Sequence, residues 1–229
     1  MNILVACEES QRVCMAFREK GHRAFSCDIE PCSGGHPEWH IQGDCLSFIN
    51  GAGETTDDFT SFFETTDGSL HKMPEKWDMI IAFPPCTYLC VSGNAWFNVE
   101  KYGVKAKQRY LDRYRAIVFF MQIANADCER IAIENPIGIM SSAYRQPNQI
   151  IQPYMFGDPF EKKTCLWLKN LPLLTASKEC APPERKHFAS GNTMPEWYAD
   201  LWKLPQKERA KQRSKTFPGI AQAMADQWG

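Results

Sequence analysis

Residues 2–28, NILVACEESQRVCMAFREKGHRAFSCD, contain the pattern from which the architecture can be inferred. The apolar run Asn2–Ala6 predicts a short strand. Residues 13–20 have helical spacing and stop at Gly21, a common helix terminator. Residues 23–27 predict a second strand that ends at Asp28. A strand, a helix and a strand within about thirty residues form the opening unit of a nucleotide-binding α/β sheet.

Later apolar runs extend this pattern. The further predicted strands are residues 39–42, 77–82, 130–133, 150–156 and 164–168. The last two are expected to form an antiparallel pair at the sheet edge. Residues 104–126 predict a long helix, and residues 218–228 predict a closing helix with proline in its first turn. The predicted fold is α/β, with a mixed, mostly parallel seven-stranded sheet flanked by helices.

The chain has no obvious interdomain linker, and residues 1–229 are predicted to form a single domain. Residues 50–75 are rich in Thr, Asp, Gly and Phe without periodicity, and they predict an inserted acidic loop with room for one helical turn. Residues 169–212 are rich in proline and polar residues and only weakly periodic.

Composition narrows the class of protein. The formal net charge of the 229 residues is −1, but residues 101–115 and 203–215 each carry a net charge of +5. Such blocks are typical of a polyanion-facing side or of a solvated helix face. The ten cysteines are irregularly spaced, which favours reduced thiols over a disulfide scaffold. No apolar run approaches the length of a membrane span, so a soluble, cytoplasmic protein is expected.

Two motifs at predicted strand ends carry the chemistry. Residues 82–89, AFPPCTYL, follow one buried strand and contain Cys86. Residues 133–136, IENP, end another strand and contain Glu134. The carboxyl ends of parallel strands line one crevice, where ligands bind. A thiolate and a proton-donating carboxyl in one cleft indicate nucleophilic attack on an electron-poor ring. The alternatives are a buried structural thiol and a capping or ion-paired carboxylate.

Two aspartates indicate a cofactor that contains adenosine. An acid at the end of the second strand commonly binds the ribose hydroxyls, and Asp28 has that position. Asp44, after the third strand, is placed to accept from an adenine amino group. The first strand–helix turn, residues 7–11, has no glycine and two glutamates, which disfavours a pyrophosphate. S-adenosylmethionine has a sulfonium, an amino group and no phosphate, so it fits this turn.

This ordered set of motifs resembles the DNA cytosine-5 methyltransferases, in particular the compact versions of phages and prophages. The resemblance covers nearly the whole chain, including the closing residues 216–225, TFPGIAQAMA. It implies a class I S-adenosylmethionine-dependent, Rossmann-like fold and DNA as the partner. Cys86 is then the nucleophile that attacks carbon 6 of a flipped cytosine, and Glu134 contacts the ring and offsets its charge. The oligomeric state is not fixed by the sequence, and a monomer is favoured.

The resemblance also implies two sets of contact residues. The expected cofactor contacts are Cys7, Glu8, Ser10, Asp28, Ile29, Asp44, Pro84, Pro85 and Ile220. The expected DNA contacts are Ser92, Asn94, Lys101, Lys105, Lys107, Arg109, Lys163 and Thr164.

The chain departs from the family pattern in three places. The cofactor turn lacks glycine. Where the family has two arginines that hold the flipped nucleotide, this chain has residues 161–164, EKKT, so Lys162 is the expected third catalytic residue, without bidentate geometry. The recognition region is reduced to residues 169–212, which predicts relaxed or very short sequence specificity.

Other functions remain open at this stage. The Pro-Pro motif also occurs in amino-group methyltransferases, but Phe83 and Cys86 stand where those enzymes need a polar residue and an aromatic one. An RNA cytosine methyltransferase would use the same ring chemistry. A non-catalytic nucleic-acid-binding or decoy protein would keep the fold alone. A zinc site at Cys27, Cys32, His36 and His40 is disfavoured because the separations fit no standard finger, and no metal is expected.

Overall fold

The computed structural model describes residues 1–53 and 61–229. The strands are β1 (Asn2–Ala6), β2 (Arg23–Asp28), β3 (His40–Gln42), β4 (Phe62–Glu64), β5 (Leu70–Lys72), β6 (Met79–Ala82), β7 (Ile131–Pro136), β8 (Gln149–Ile151), β9 (Thr164–Lys169), β10 (Arg185–His187) and β11 (Thr193–Pro195). The α-helices are α1 (Arg12–Glu19), α2 (Val99–Tyr102), α3 (Val104–Ala124), α4 (Met140–Ala143), α5 (Glu196–Asp200), α6 (Gln206–Ser214) and α7 (Pro218–Trp228). Short 3₁₀ helices connect several of them.

Seven strands form one sheet in the order β3-β2-β1-β6-β7-β9-β8. The first five run parallel, and β9 runs antiparallel to both of its neighbours. The predicted fold class is therefore confirmed: a class I, Rossmann-like sheet, mostly parallel, with one reversed strand. The antiparallel pair β8–β9 lies at the predicted edge of the sheet.

Both faces of the sheet are buried, as expected for parallel strands with helices on each side. Within β1, Leu4 and Ala6 pack into one core cluster, whereas Ile3 and Val5 pack into the other. The strand is therefore apolar throughout its buried length, and for this reason it can be predicted from the sequence.

Helices α1 and α7 cover the same face of the sheet. The apolar positions of α1 recur at helical spacing and are buried, and the helix ends where Gly21 adopts a φ of 83°. Pro218 is the first residue of α7, and Trp228 near its end is buried against the same cluster. Both helices agree with the sequence prediction to within a residue or two.

The inserted region contains more structure than was predicted. Strands β4 and β5 form an antiparallel hairpin where a loop with a helical turn was expected. Phe63 of this hairpin packs edge-on against Phe25, with ring centroids 4.9 Å apart. Residues 54–60, which belong to the same predicted loop, lie outside the described residues.

Residues 170–217 contribute no strand to the seven-stranded sheet. They contain the hairpin β10–β11 and helices α5 and α6. An aromatic cluster of Phe160, Trp197 and Phe217 joins this region to the body of the protein. Within the described residues, no helix has the length and apolar composition needed to cross a membrane.

Candidate active site at the carboxyl edge of the sheet

The register of the parallel strands brings the predicted motifs to one edge. Ala6 is paired with both Cys27 and Ala82, and Ala82 is paired with Ile133. The residues that follow these positions are the turn after β1, Asp28, the loop that contains Cys86, and Glu134. They form a row along the carboxyl ends of the strands, where ligands bind in open α/β sheets.

Strand β7 is longer than the sequence predicted. It was expected to end at Ile133, but it continues to Pro136 because the reversed strand β9 extends the ladder beyond the end of β6. Glu134 is therefore held inside a strand, opposite Leu166. Its position is fixed by backbone pairing on one side, which a loop residue would not have.

The loop that contains Cys86 is bound to the chain that carries Glu134. The side-chain amide of Asn135 donates to the carbonyl of Pro84 at 2.7 Å. The N–H of Val91 donates to the carbonyl of Ile137 at 3.1 Å, and the N–H of Ile139 donates to the carbonyl of Leu89 at 2.8 Å. These bonds fix the loop that contains Cys86 relative to Glu134.

Gly138 permits this close approach. A side-chain carbon at position 138 would lie 2.1 Å from the carbonyl oxygen of Leu89 and 3.0 Å from the Cα atom of Cys90. Only glycine leaves room for two backbone segments at this distance. The sequence contains this glycine two residues after the IENP motif, but nothing in the motif indicates its role.

Glu134 has the electrostatic environment of a proton donor. Burial raises the pKa of its carboxyl above the ordinary value, and the nearby Lys162 cation and the hydroxyl of Thr164 oppose that rise. Thr164 is buried at the start of β9. The predicted DNA contact at Thr164 is thus beside the predicted acid, and Lys162 is beside both.

Cys86 is half-buried and interacts electrostatically with both Glu134 and Lys162. A hydrogen bond with the sulfur of Cys90 is the largest cause that raises the pKa of Cys86, followed by burial. The structure therefore brings Cys86, Glu134 and Lys162 together. Cys90 belongs to the same cluster and was not among the predicted site residues.

The two aspartates that are predicted to bind the cofactor, Asp28 and Asp44, differ in environment. Asp28 is half-buried, and burial raises the pKa of its carboxyl. One of its oxygens accepts from the backbone N–H of Glu30 at 3.0 Å. Asp44 is exposed, and one of its oxygens caps a short 3₁₀ helix by accepting from the N–H of Leu46 at 3.0 Å. Both carboxylates retain an oxygen that can accept from a ligand.

The turn after β1 reaches its shape without glycine. Cys7 and Gln11 adopt left-handed conformations, with φ of 59° and 58°. Gln11 is fully buried, and its side-chain amide bonds in both directions with the backbone of His36. Buried hydrogen bonds over-determine this strained turn, which is common at ligand sites.

The two glutamates of this turn have different environments. The carboxyl of Glu8 is buried beneath α1, where its oxygens accept from the N–H groups of Val13 at 2.7 Å and Cys14 at 3.1 Å. It caps the helix, so the predicted cofactor contact of this side chain is replaced by a structural role. The oxygens of Glu9 are also buried, and they have no hydrogen-bond partner within the described residues. The Lys211 ammonium lies 3.7 Å from one of them.

The other predicted cofactor residues are distributed unevenly. Cys7 is half-buried, with its sulfur 3.8 Å from that of Cys45, and Ser10 is buried. Pro85 is exposed in the loop that contains Cys86, and Ile29 beside Asp28 is 73% exposed, so both can contact a ligand. Pro84 is buried beneath the loop. The side chain of Ile220 packs in the hydrophobic core between α7 and the sheet, so its predicted contact with the cofactor stays a prediction.

The predicted DNA contacts on the long helix include one that has an internal role. The guanidinium of Arg109 donates to the carbonyl of Thr87 at 2.9 Å. The neighbouring Arg113, which was not predicted, donates to the carbonyl of Tyr88 and to the side chain of Asn94. These two arginines hold the loop after Cys86, and Asn94 is occupied by one of them.

The remaining predicted DNA contacts are on the surface. Ser92 lies beside Cys90, with its hydroxyl oxygen 3.1 Å from the sulfur. Four of the predicted contacts are exposed lysines whose side chains can bind a polyanion: Lys101, Lys105, Lys107 and Lys163.

Helix α6 adds cations that sequence reasoning missed. The carbonyl of Arg213 accepts from the ammonium of Lys162 at 3.0 Å, and the carbonyl of Thr216 accepts from Arg12. The guanidinium of Arg213 lies 4.2 Å from the ring centroid of Tyr198 and interacts electrostatically with Cys86. The signal in the sequence was the basic block of residues 203–215, but its contact with the site depends on tertiary packing.

The zinc alternative is not supported by the side-chain contacts. His40 bonds with Ser26 and with the carbonyl of Glu30, while His36 bonds with Glu38. The thiol of Cys27 donates to the carbonyl of Gly43. Across residues 1–53 and 61–229, no group of three His, Cys, Asp or Glu side chains gathers as a metal site.

No family model and no curated protein matches the sequence. One solved structure that matches is that of a protein encoded within an E. coli prophage and assigned as a DNA modification methyltransferase. The two chains are 13% identical, and the match has a TM-score of 0.41 over 93% of this chain and 69% of the other. The assignment describes that neighbour.

Proposed function

We propose that the protein transfers a methyl group from S-adenosylmethionine to carbon 5 of cytosine in DNA, by way of a covalent bond between Cys86 and carbon 6. The observation that supports this most strongly is the clamp between the loop of residues 84–91 and residues 135–139. It holds a thiol and a protonatable carboxyl at one edge of the sheet. Neither motif alone would indicate this chemistry.

The residues at the edge fit S-adenosylmethionine as the donor. Asp28 retains an acceptor oxygen for the ribose hydroxyls, and Asp44 retains one for the adenine amine. The buried oxygens of Glu9 lack a hydrogen-bond partner within the described part of the chain. The ammonium of Lys211 lies 3.7 Å from one of these oxygens, beyond hydrogen-bond distance. The ammonium group of the methionine moiety would supply the missing hydrogen bond to this buried carboxylate. The bound donor supplies a methyl group on a sulfonium.

Cys86 and Glu134 share the work on the cytosine ring. Carbon 5 is not nucleophilic until a thiolate adds to carbon 6, which converts the ring to an enamine. As the bond from Cys86 forms, negative charge builds on ring nitrogen 3. Glu134, whose carboxyl pKa is raised by burial, donates a proton to that nitrogen. The positive charge of Lys162 lies beside both Cys86 and Glu134.

Carbon 5 then accepts the methyl group and loses its proton, the thiolate of Cys86 is expelled, and ring nitrogen 3 returns its proton to Glu134. The target carbon is inaccessible in a stacked duplex, so the base must leave the helix to reach the edge of the sheet. The exposed lysines of residues 101–107, together with Lys163 and Arg213, are placed to bind the phosphates. The small region of residues 170–217 supplies few base contacts, which fits short or relaxed specificity. The protein would act on DNA in the cytoplasm.

The decisive experiment identifies the modified nucleoside. The protein is incubated with DNA and S-adenosylmethionine labelled in the methyl group, and the digested DNA is separated into nucleosides. We expect the label in 5-methyl-2′-deoxycytidine. Label on the cytosine amine, on adenine or only on RNA would contradict the proposal.

The covalent step is tested separately with an oligonucleotide that contains 5-fluorocytosine, because fluorine at carbon 5 cannot be eliminated as a proton is. We expect a stable protein–DNA adduct at the peptide that contains Cys86. Cys86→Ser should form none. Cys180→Ser, at a half-buried cysteine outside the cluster, serves as the matched control and should form the adduct.

A further inference from the structure

The exposed apolar side chains of the protein are concentrated beside the candidate site. Eight of the fifteen large apolar or aromatic side chains that are exposed within the described residues belong to residues 91–118. This stretch contains the end of the loop that follows Cys86, helix α2 and most of α3. Such a concentration of exposed apolar side chains marks a surface that binds a partner.

Four aromatic rings form the centre of this surface, and Trp96, Tyr102, Tyr110 and Tyr114 are called the aromatic platform below. The ring centroids of Trp96 and Tyr102 are 5.1 Å apart, and the rings are tilted by 36°. Tyr110 and Tyr114 are four residues apart on α3, which makes them neighbours on the helix surface. Trp96 is 55% exposed and Tyr114 is 68% exposed, so a ligand can reach both rings.

The buried ring of Phe97 anchors the aromatic platform to α3. The guanidinium of Arg113 lies 3.5 Å from the centroid of this ring, and that of Arg109 lies 5.0 Å away. The ring of Tyr110 meets Phe97 edge-on at 5.0 Å. The same two arginines donate to the backbone carbonyls of residues 87–88. The platform is therefore preorganised, which lowers the entropic cost of binding, and it is continuous with the loop that contains the proposed nucleophile.

The charge of this surface selects the kind of partner. Residues 101–115 carry a net charge of +5, and the ammonium of Lys101 lies 5.3 Å from the ring centroid of Tyr102. Lys105 and Lys107 are exposed in the first turn of α3. A second copy of the chain would bring like charges together, which opposes association. Aromatic rings beside cations are instead the combination that binds single-stranded nucleic acids, because bases stack on the rings while phosphates contact the cations.

We propose that the aromatic platform binds unpaired nucleotides of single-stranded DNA, with bases stacked on its rings and phosphates beside the lysines of residues 101–107. The choice of DNA rests on the proposed function, whereas the binding requires no methyl transfer. The strand is held next to the loop that contains Cys86. A cytosine in such a strand is already unpaired, so it reaches the site without the cost of leaving a duplex. Single-stranded DNA is therefore the preferred substrate.

Abasic DNA separates stacking from charge, because it keeps every phosphate and has no base. Fluorescence anisotropy measures the binding of the protein, without donor, to a labelled oligothymidylate of about 12 nucleotides, to an abasic strand of the same length and to a duplex. The two single strands contain no cytosine, so their binding does not depend on the proposed reaction. We expect the wild type to bind the oligothymidylate at least about tenfold more tightly than the abasic strand, since one stacked base contributes about that factor.

Trp96→Ala should lower the affinity for the oligothymidylate about tenfold and change the affinities for the abasic strand and the duplex by less than about twofold. Trp96→Phe keeps a ring and should recover most of the loss. Lys107→Ala should weaken the binding of all three ligands and lower the salt slope for the oligothymidylate by about 0.7. Phe62→Ala is the matched control, since this ring is 59% exposed and lies outside the platform, and it should change no affinity. Melting curves show that the variants are folded.

The outcomes separate the two proposals. In Trp96→Ala, equal losses of affinity for the oligothymidylate and the abasic strand, or no loss for either, would overturn the platform. Tighter binding of an oligouridylate than of the oligothymidylate, with the same dependence on Trp96, would assign the surface to RNA and overturn the choice of DNA. If cytosine in DNA is methylated but Trp96→Ala does not distinguish the two strands, the platform fails and the proposed function stands. If no cytosine is methylated but the preference for bases depends on Trp96, the platform stands and the proposed function fails.

Discussion

Position 138 has room for a hydrogen atom and for nothing larger. The alanine methyl group of Gly138→Ala would overlap the carbonyl of Leu89, so the loop that contains Cys86 would have to move away from β7. Because misplacement by about 1 Å can cost a hundredfold in rate, we expect a loss of methyl transfer of at least tenfold, together with a lower melting temperature. Kinetics and calorimetry measure the two effects.

The matched control for this variant is Gly43→Ala. A side-chain carbon there would lie at an ordinary 3.6 Å from the ring of Phe48. We expect its melting temperature to stay close to that of the wild type. If Gly138→Ala kept full activity, the clamp between the two motifs would not position the nucleophile.

A second effect at residue scale is the pH dependence of Glu8. Burial raises the pKa of this carboxyl to about 8, against about 4.3 for an exposed glutamate. The folded state therefore binds this proton more tightly than the unfolded chain does. The resulting stabilisation is full below pH ~4 and is lost as the pH rises to about 8. Glu8→Gln keeps an oxygen that can accept from the helix N–H groups and has no charge.

Denaturant unfolding at pH 5 and pH 9 measures this effect. We expect the free energy of unfolding of the wild type to fall more between these pH values than that of Glu8→Gln. Glu19→Gln, on the exposed face of the same helix, should retain the wild-type dependence. Identical pH dependence in the wild type and Glu8→Gln would show that this carboxyl ionises normally.

The residues that sequence reasoning placed correctly share one property: their position follows from strand ends. Cys86 and Glu134 each follow a short apolar run, and parallel pairing brings such ends together. The role of Glu8 could not be predicted, because a helix cap from four residues before the helix depends on the left-handed turn at Cys7 and Gln11. The core packing of Ile220 could not be predicted either, because it depends on how α7 packs against the sheet.

At the scale of elements, α6 is the main part of the candidate site that was not predicted from the sequence. Arg213 lies over the ring of Tyr198 at 4.2 Å, and Arg209 lies over that of Trp202 at 4.4 Å. The two arginines thus share a helix and a type of stacking contact, and Arg213 also interacts electrostatically with Cys86 and Cys90. They form a natural pair for comparing a cation at the site with one beside it.

We expect Arg213→Ala to lower the dependence of DNA affinity on salt by about one phosphate contact, a change of about 0.9 in the slope of log K against log salt. Arg209→Ala should change the slope less. Fluorescence anisotropy with a labelled duplex at several salt concentrations measures both slopes. Equal slopes for both variants would mean that α6 acts only as a diffuse basic surface.

The regular elements were predicted well and the irregular ones poorly, for a physical reason. Strands β1, β2 and β6 are buried on both faces, so their sequences are apolar runs of the expected length. The extension of β7 to Pro136 was missed because it depends on pairing with β9, which is distant in the sequence. The hairpin of β4 and β5 was missed because each strand has three residues and only the central one, Phe63 or His71, is at least partly buried. Such short strands leave no detectable alternation of apolar and polar residues.

At the scale of the whole molecule, ligand binding should be visible as stability. A ligand that binds only the folded state adds about 2.7 kcal/mol at a concentration of 100 times its Kd. For a chain of 229 residues this corresponds to a rise in melting temperature of about 5–10 °C. We expect S-adenosylmethionine to produce such a rise in the wild type.

Asp28→Asn should need a higher ligand concentration for the same rise, because the ribose loses a charged acceptor. Glu129→Gln is the control, since this exposed carboxylate precedes β7 at the opposite edge of the sheet. Differential scanning calorimetry with and without the ligand makes the comparison. A melting temperature that never responds to S-adenosylmethionine would contradict the assignment of the donor.

The attachment of residues 170–217 has a consequence for how such a protein can diversify. This segment follows β9. It is bound to the carboxyl edge of the sheet by hydrogen bonds with Glu161, Lys162 and Arg12. The seven-stranded ladder is complete without it. Under the proposed function, we expect that a different sequence between residues 181 and 196 would alter which DNA is methylated while the scaffold, including the buried Leu174, is kept. Target preference and chemistry could then evolve as separate modules.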